Sequence, residues 1–176
     1  MQRYINLNKD IRILYYQNYL IIKDSYTQLV LNSLNLKIVG LFIIFDNNNS
    51  ISLKNKVYNN NMLTVLKQLN LAINGVIKFY SKKLTIAGIG FKGWLIDSKN
   101  KITLKIGYSN SIILKIPKEV IIIFLRPSLI IVKGPSKEIT NSVAAQIRFL
   151  KRVNAYKNKG ILFENEIVKL KTGKQK

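Results

Sequence analysis

The chain has no cysteine and no histidine among its 176 residues, and only 8 aspartates and glutamates. Without cysteine there is no disulfide framework and no thiol nucleophile, and without histidine no His-based triad or imidazole general base. Cys/His zinc sites are excluded on the same ground. Long apolar runs are also missing. The most apolar segments, Ile38–Phe45 and Val120–Leu125, are strand-sized, whereas a membrane-spanning helix needs about 20 residues. The N-terminus (MQRYINLNKDIRILYY) lacks a secretory apolar core and is not the Ser/Arg-rich, acid-free helix of a transit peptide. It reads as an uncleaved start at Met1. Asn48-Asn49-Ser50 fits the glycosylation pattern, which carries no weight without a signal peptide.

What the chain does contain is positive charge: 29 Lys and Arg give a formal net charge of +21. Hydrophobic residues make up 48 %, enough to build a core, so this is not a disordered basic tail. Such a charge excess opposes compaction unless a polyanion neutralises it, which points to nucleic acid or an anionic membrane surface. Lys (24), Ile (28) and Asn (20) dominate while Arg is rare (5), the residue bias of an A/T-rich coding sequence.

The order of elements reads strands, helix, strands, helix. Segments Ile13–Ile22, Tyr26–Leu31, Leu36–Phe45 and Ser50–Tyr58 are β-branched and aromatic, broken by polar clusters such as Asp46-Asn47-Asn48-Asn49. From Met62 to Tyr80 the apolar residues recur at i, i+3, i+4, i+7, which predicts a helix over Asn61–Tyr80. Strands are then expected at Leu84–Ile96, Lys101–Tyr108, Ser111–Ile116, Val120–Leu125 and Leu129–Lys133, with a second helix at Ser136–Arg152 capped by Ser136. The fold expected is α+β. Two similar modules in tandem, each an antiparallel sheet packed with one helix, occupy residues 1–81 and 82–152. A basic extension follows at 153–176, with a strand-like piece at Glu166–Leu170. From Arg148 to the end there are 9 basic and 2 acidic residues.

Four motifs carry possible chemistry. Gly88-Ile89-Gly90-Phe91-Lys92-Gly93 matches G-x-G-x-x-G, but an extended Trp94-Leu95-Ile96 follows where a dinucleotide site needs a helix. A glycine-rich bulge or bend fits better than that, and a third reading is better still: the glycines let an RNA backbone approach closely while Lys92 supplies charge. Glu164 and Glu166, two apart, would share one side of a strand as a metal or acid–base pair; a solvated or lysine-paired edge is favoured. Tyr15, Tyr16 and Tyr19 suit base stacking or, more simply, cross-strand packing. The sharpest stretch is Arg152-Val153-Asn154-Ala155-Tyr156-Lys157-Asn158-Lys159-Gly160-Ile161. Lys157 and Lys159 in an extended segment would point the same way and grip neighbouring phosphates, with Gly160 permitting unusual backbone angles.

That stretch resembles the C-terminal hallmark of bacterial-type large-subunit ribosomal protein six, where a helix leads into a Tyr-Lys-Gly-Lys-Gly turn. Lys83–Lys92, Ile106–Ser109, Val132–Gly134, Ala144–Arg148 and Glu166–Lys169 resemble further pieces of that family, in order and spacing. The likeness covers Asn61–Lys176 and is weak over Met1–Tyr58. Asn158 stands where the family has Gly or Ala, and Val153 where it has Pro or Ser; Asn tolerates a left-handed backbone. The resemblance implies a non-enzymatic structural constituent of the large ribosomal subunit that binds large-subunit rRNA near the stalk base and sarcin–ricin loop. Neighbouring ribosomal proteins are the other partners implied, with no cofactor, metal, small-molecule substrate or membrane insertion. The RNA-contacting residues expected are Lys82, Lys83, Lys92, Lys151, Arg152, Tyr156, Lys157, Lys159, Gly160, Lys169, Lys171 and Lys174. The alternative is a basic peripheral protein of an anionic membrane surface, and an RNA-processing enzyme is a weaker third. The A/T-rich bias, the bacterial-type likeness and the absence of a transit peptide together point to a mitochondrial ribosome, ahead of a plastid or an A/T-rich bacterium.

Overall fold

The computed structural model of the chain describes residues 2–6, 12–16, 19–23, 28–32, 41–46, 50–55, 61–96 and 101–173. They divide into two compact units, Met1–Phe79 and Tyr80–Lys176. In the first unit, β1 (Gln2–Asn6), β6 (Ser50–Asn55) and β5 (Leu41–Asp46) form one antiparallel sheet in the order β1-β6-β5. A second sheet runs β2 (Arg12–Tyr16), β3 (Tyr19–Lys23), β4 (Gln28–Asn32). The single strand expected over Ile13–Ile22 is therefore a hairpin. Tyr16 faces Tyr19 in register. β1 was not expected. The expected strand segments 36–40 and 56–58 lie outside the described residues.

Helix α1 (Asn61–Ile77) follows, with Leu69, Ala72, Ile73 and Val76 buried at helical spacing. It contacts β3 and β4. It ends earlier than its apolar period suggests: Ile77 is exposed and Tyr80 opens a strand.

The second unit also has two antiparallel sheets, where one was expected. A four-stranded sheet has the order β11 (Ile121–Arg126), β12 (Leu129–Gly134), β7 (Tyr80–Ala87), β13 (Gly160–Phe163). A three-stranded sheet has the order β10 (Ile112–Lys115), β9 (Lys101–Lys105), β8 (Lys92–Ile96). The strand expected over Leu84–Ile96 is cut in two by a turn at Gly88–Phe91, closed by Phe91 N–H donating to the Gly88 carbonyl at 3.2 Å. The two pieces, β7 and β8, belong to different sheets. The expected strand at Lys101–Tyr108 stops at Lys105.

Helix α2 (Lys137–Leu150) begins as expected, with Ser136 as N-cap accepting from Ile139 N–H at 3.4 Å. Its buried face is Thr140, Val143, Ala144 and Ile147. Thr140 stays satisfied in the core because its hydroxyl donates to the Ser136 carbonyl at 2.7 Å. The core joins that face to Leu84 and Ile86 of β7, Ile130 and Val132 of β12, Ile102 and Leu104 of β9, and Ile161 of β13.

The residues beyond α2 are more than an extension. Gly160–Phe163 form the edge strand β13, paired antiparallel with β7 from Gly160↔Ala87 to Phe163↔Leu84. The strand-like piece expected at Glu166–Leu170 is not a strand. No strand is expected from the sequence at Gly160–Phe163; burial of Ile161 against the core fixes the pairing there. No helix among the described residues is long and apolar enough to cross a membrane.

Candidate nucleic-acid interface

Helix α2 releases the chain at Lys151, whose backbone is already extended (φ −147°, ψ 96°). The next ten residues leave the helix and return as β13, and hydrogen bonds fasten the loop at three levels. At its base Ile161 N–H donates to the Lys151 carbonyl at 3.0 Å. Further out, Asn154 N–H donates to the Lys159 carbonyl (3.0 Å), and Asn158 N–H donates to the Asn154 carbonyl (2.9 Å). At the tip the Asn154 side-chain oxygen accepts from Tyr156 N–H at 2.8 Å, an Asx turn.

Two residues let the loop close. Asn158 sits at φ +50°, the left-handed conformation that Asn adopts at low cost, so this departure from the family pattern preserves the turn. Gly160 sits at φ +152°, and a Cβ there would lie 2.7 Å from the Val153 Cα and 2.9 Å from the Arg152 carbonyl oxygen. Gly160 is buried, and the space beside it is filled by the protein's own backbone. It shapes the loop and offers no face to RNA.

The chain beyond β13 folds back on this loop. Lys171 N–H donates to the Ala155 carbonyl at 3.0 Å, which brings Lys169 and Lys171 to the loop's flank. Lys157, Lys169 and Lys171 are exposed and Lys159 is half-buried. With left-handed Asn158 between them, Lys157 and Lys159 do not lie in the extended segment that would make them a parallel pair. Tyr156 is 62 % exposed at the tip. Arg152 lies 5.1 Å from the Phe149 ring. The Lys151 ammonium stands 4.1 Å above the Tyr108 ring, whose hydroxyl donates to the Leu150 carbonyl at 3.1 Å. Tyr108 therefore satisfies a carbonyl at the C-terminal end of α2 and seats the Lys151 stem; the Gly-aromatic-Ser turn was visible in sequence, but this role was not.

The two carboxylates do not form a pair. Lys83 Nζ meets Glu164 Oε1 at 2.9 Å across an exposed site. Glu166 receives the Arg148 guanidinium side-on, through Nε at 2.8 Å and through Nη2, and also accepts from Phe163 N–H at 3.3 Å. The Arg148 hydrogen bonds hold the Glu166 carboxyl below the usual carboxylate range against some desolvation, and raise Arg148 in turn. This fork ties the chain after β13 to the last turn of α2. It also removes Arg148 from the set of uncompensated cations, as the exposed Glu164 contact does in part for Lys83. Among the described residues no group of acidic residues could hold a metal ion.

The remaining expected residues lie elsewhere. Lys82 is exposed beside Lys83 on β7, pointing to the opposite side of the strand. Lys92 is on β8 in the other sheet, 5.8 Å from the Trp94 ring. Lys174 lies outside the described residues, as do the side chains of Tyr15, Tyr16 and Tyr19. Gly88 and Gly93 serve packing, since a Cβ at Gly88 would strike the Phe91 ring at 2.7 Å and one at Gly93 would strike Leu104 at 2.6 Å; Gly90 has open space beside it and serves the turn with its φ of +75°. A strand follows them, so the dinucleotide reading falls.

The surface assembled here is a hydrogen-bonded loop and a returning tail, rich in lysine, tied to α2 by the Arg148–Glu166 pair and to β7 by the Lys83–Glu164 pair. Comparisons with known proteins give the family. A family model described as ribosomal protein L6 matches residues 93–164, the span from β8 through the loop to β13. The chain is similar to the large ribosomal subunit protein uL6m of Reclinomonas americana, 37 % identical over 155 residues, covering 85 % of this chain and 82 % of that protein. It is similar to uL6 of Karelsulcia muelleri (38 % over 152 residues, 82 % of each chain) and of Pseudothermotoga lettingae (38 % over 103 residues, 58 % of this chain and 55 % of the relative). The first two matches exceed the length of Asn61–Lys176, so the likeness extends into the first unit. These relatives are ribosomal proteins, a structural, non-enzymatic family. The chain belongs to the ribosomal protein L6 (uL6) family, in its bacterial type and with an organellar relative.

Proposed function

We propose that the chain is a structural constituent of the large ribosomal subunit of a mitochondrion. It binds large-subunit rRNA near the stalk base and sarcin–ricin loop, beside neighbouring ribosomal proteins. The observation that carries this reading is the closed loop 151–161 with the tail hydrogen-bonded across it, which gathers Lys151, Arg152, Lys157, Lys159, Lys169 and Lys171 with exposed Tyr156. Bound phosphates neutralise these cations and release counterions, while the sheet and α2 hold them in one arrangement, so that little side-chain and loop ordering remains on binding. Lys82 and Lys92 add charge away from the loop, and Lys174 extends the tail. Gly160 and the Lys83–Glu164 pair act by shaping the surface. The similarity to a uL6m protein and the A/T-rich residue bias support the mitochondrial assignment, with a plastid or an A/T-rich bacterium as the alternatives.

The test is a salt titration on an rRNA fragment carrying the sarcin–ricin loop. K157A/K159A weakens binding and lowers the slope of log K against log salt by about one to two, at roughly 0.7–0.9 per lost phosphate contact. Its melting temperature stays at the wild-type value, because neither side chain is part of the core. An unchanged slope places the RNA contact elsewhere.

A further inference from the structure

The outer face of the β8–β9–β10 sheet lies apart from the loop, shares only Lys92 with the cations named above, and has an unusual composition. Cross-strand register sets Trp94, Thr103 and Ile113 in one row across it. On one side of that row Lys92 stands opposite Lys105; on the other, Lys101 stands opposite Lys115. All four lysines are exposed, Trp94 is 40 % exposed and Ile113 is 61 % exposed, while Thr103 between them is buried. None of the residues in the three strands is acidic. The inner face of the same sheet supplies Ile102 and Leu104 to the core, so folding is already provided for on that side.

An exposed indole and an isoleucine held between two directly opposed lysine pairs make poor sense for a face that meets only water. Like charges directly opposite across strands destabilise a sheet. Anions placed over both pairs remove that repulsion, and the apolar row between them then needs a flat, uncharged group. A nucleotide chain has that alternation of charge and ring, and every base presents a π-face to an aromatic side chain. A duplex lacks it, because its bases are stacked on one another.

We propose that this face is a second RNA contact, which takes an unpaired base of single-stranded RNA stacked on Trp94 with the Lys92–Lys105 and Lys101–Lys115 pairs on the flanking phosphates. The proposal rests on the reading of the chain as an rRNA-binding protein and assigns a base-stacking site to one sheet of it.

Trp94 is the chain's only tryptophan, so intrinsic emission reports on this face alone. The full chain is titrated with single-stranded hexa-adenylate and, separately, with an RNA duplex of equal phosphate number. Hexa-adenylate quenches Trp94 to saturation, and the duplex does so far less. By anisotropy of labelled hexa-adenylate, W94L weakens binding about 5- to 100-fold and W94F restores most of it, since a phenyl ring keeps a stacking face. Circular dichroism of both variants matches wild type. Emission that hexa-adenylate leaves unmoved, or that both RNAs quench alike, overturns the proposal, as does W94L binding at wild-type strength. Trp94 shielded by added ribosomal proteins and not by RNA gives the face to a protein and overturns it too. If hexa-adenylate fails to quench while the rRNA fragment still binds, this contact alone falls. If the fragment fails to bind, the reading beneath it falls.

Discussion

Replacing Gly160 by alanine tests whether the lysine loop is built as described. The new methyl group would enter at 2.7 Å from the Val153 Cα and 2.9 Å from both the Arg152 carbonyl oxygen and the Val153 nitrogen. All three are backbone atoms, so no side chain can swing away. The residue must also keep φ +152°, where an L side chain is strained. Backbone strain of this kind costs about 1–3 kcal/mol, and forced overpacking costs about 1–3 kcal/mol. The sum, about 2–6 kcal/mol, is large against the roughly 5–15 kcal/mol stability of an ordinary domain. Relief requires Gly160–Phe163 to leave β7 or the loop base at Lys151 and Ile161 to open, and either path uncovers the fully buried Ile161. In thermal unfolding followed by circular dichroism, G160A should melt at least about 4 °C lower, at 2–4 °C per kcal/mol for a chain of this size. Binding to the rRNA fragment should fall with it. A G160A chain with the wild-type melting temperature and affinity would refute the loop geometry.

The Arg148–Glu166 fork gives a pH-dependent prediction. Because the Glu166 carboxyl is held below its ordinary range in the folded state, its contribution is present above the unfolded carboxylate pKa and is lost as pH falls through the lowered value. The drop in melting temperature of wild type on acidification should thus be steeper than that of E166Q, read across pH 2–6, with parallel curves counting against the fork. E166Q should also loosen the tail, seen as faster amide exchange at Lys171, whose N–H bonds to Ala155. Removing the N-cap with S136A should cost about 1 kcal/mol of stability by denaturant titration, with rRNA affinity unchanged below the transition.

Much of the second unit was legible in its sequence because the signals are local. Ser136 caps α2, and the buried positions Val143, Ala144 and Ile147 repeat at helical spacing. Asn158 is one of the few non-glycine residues that accept a positive φ, and it has one. The misreadings are non-local. β7 and β8 form one unbroken extended run in sequence, and only the turn at Gly88–Phe91 shows that they serve different sheets. β13 pairs with β7 across more than seventy residues, a partnership that hydrophobic periodicity cannot name. For the same reason Glu166 read, with Glu164, as part of a solvated or lysine-paired edge. Its partner Arg148 lies 18 residues earlier, on a helix whose orientation only the fold supplies. The site residues divide the same way. Lysines were found by composition and resemblance, whereas Tyr108 and Asn154 work through hydrogen bonds to backbone that no residue pattern displays.

The most direct measurement of the central claim is a crosslink. A photoreactive residue replacing Tyr156, at the exposed tip of the loop, is irradiated in assembled ribosomes and its adducts are mapped on RNA. The account predicts adducts confined to large-subunit rRNA, at the stalk base and sarcin–ricin loop region. Adducts on small-subunit rRNA, on lipid, or on no RNA at all would contradict it.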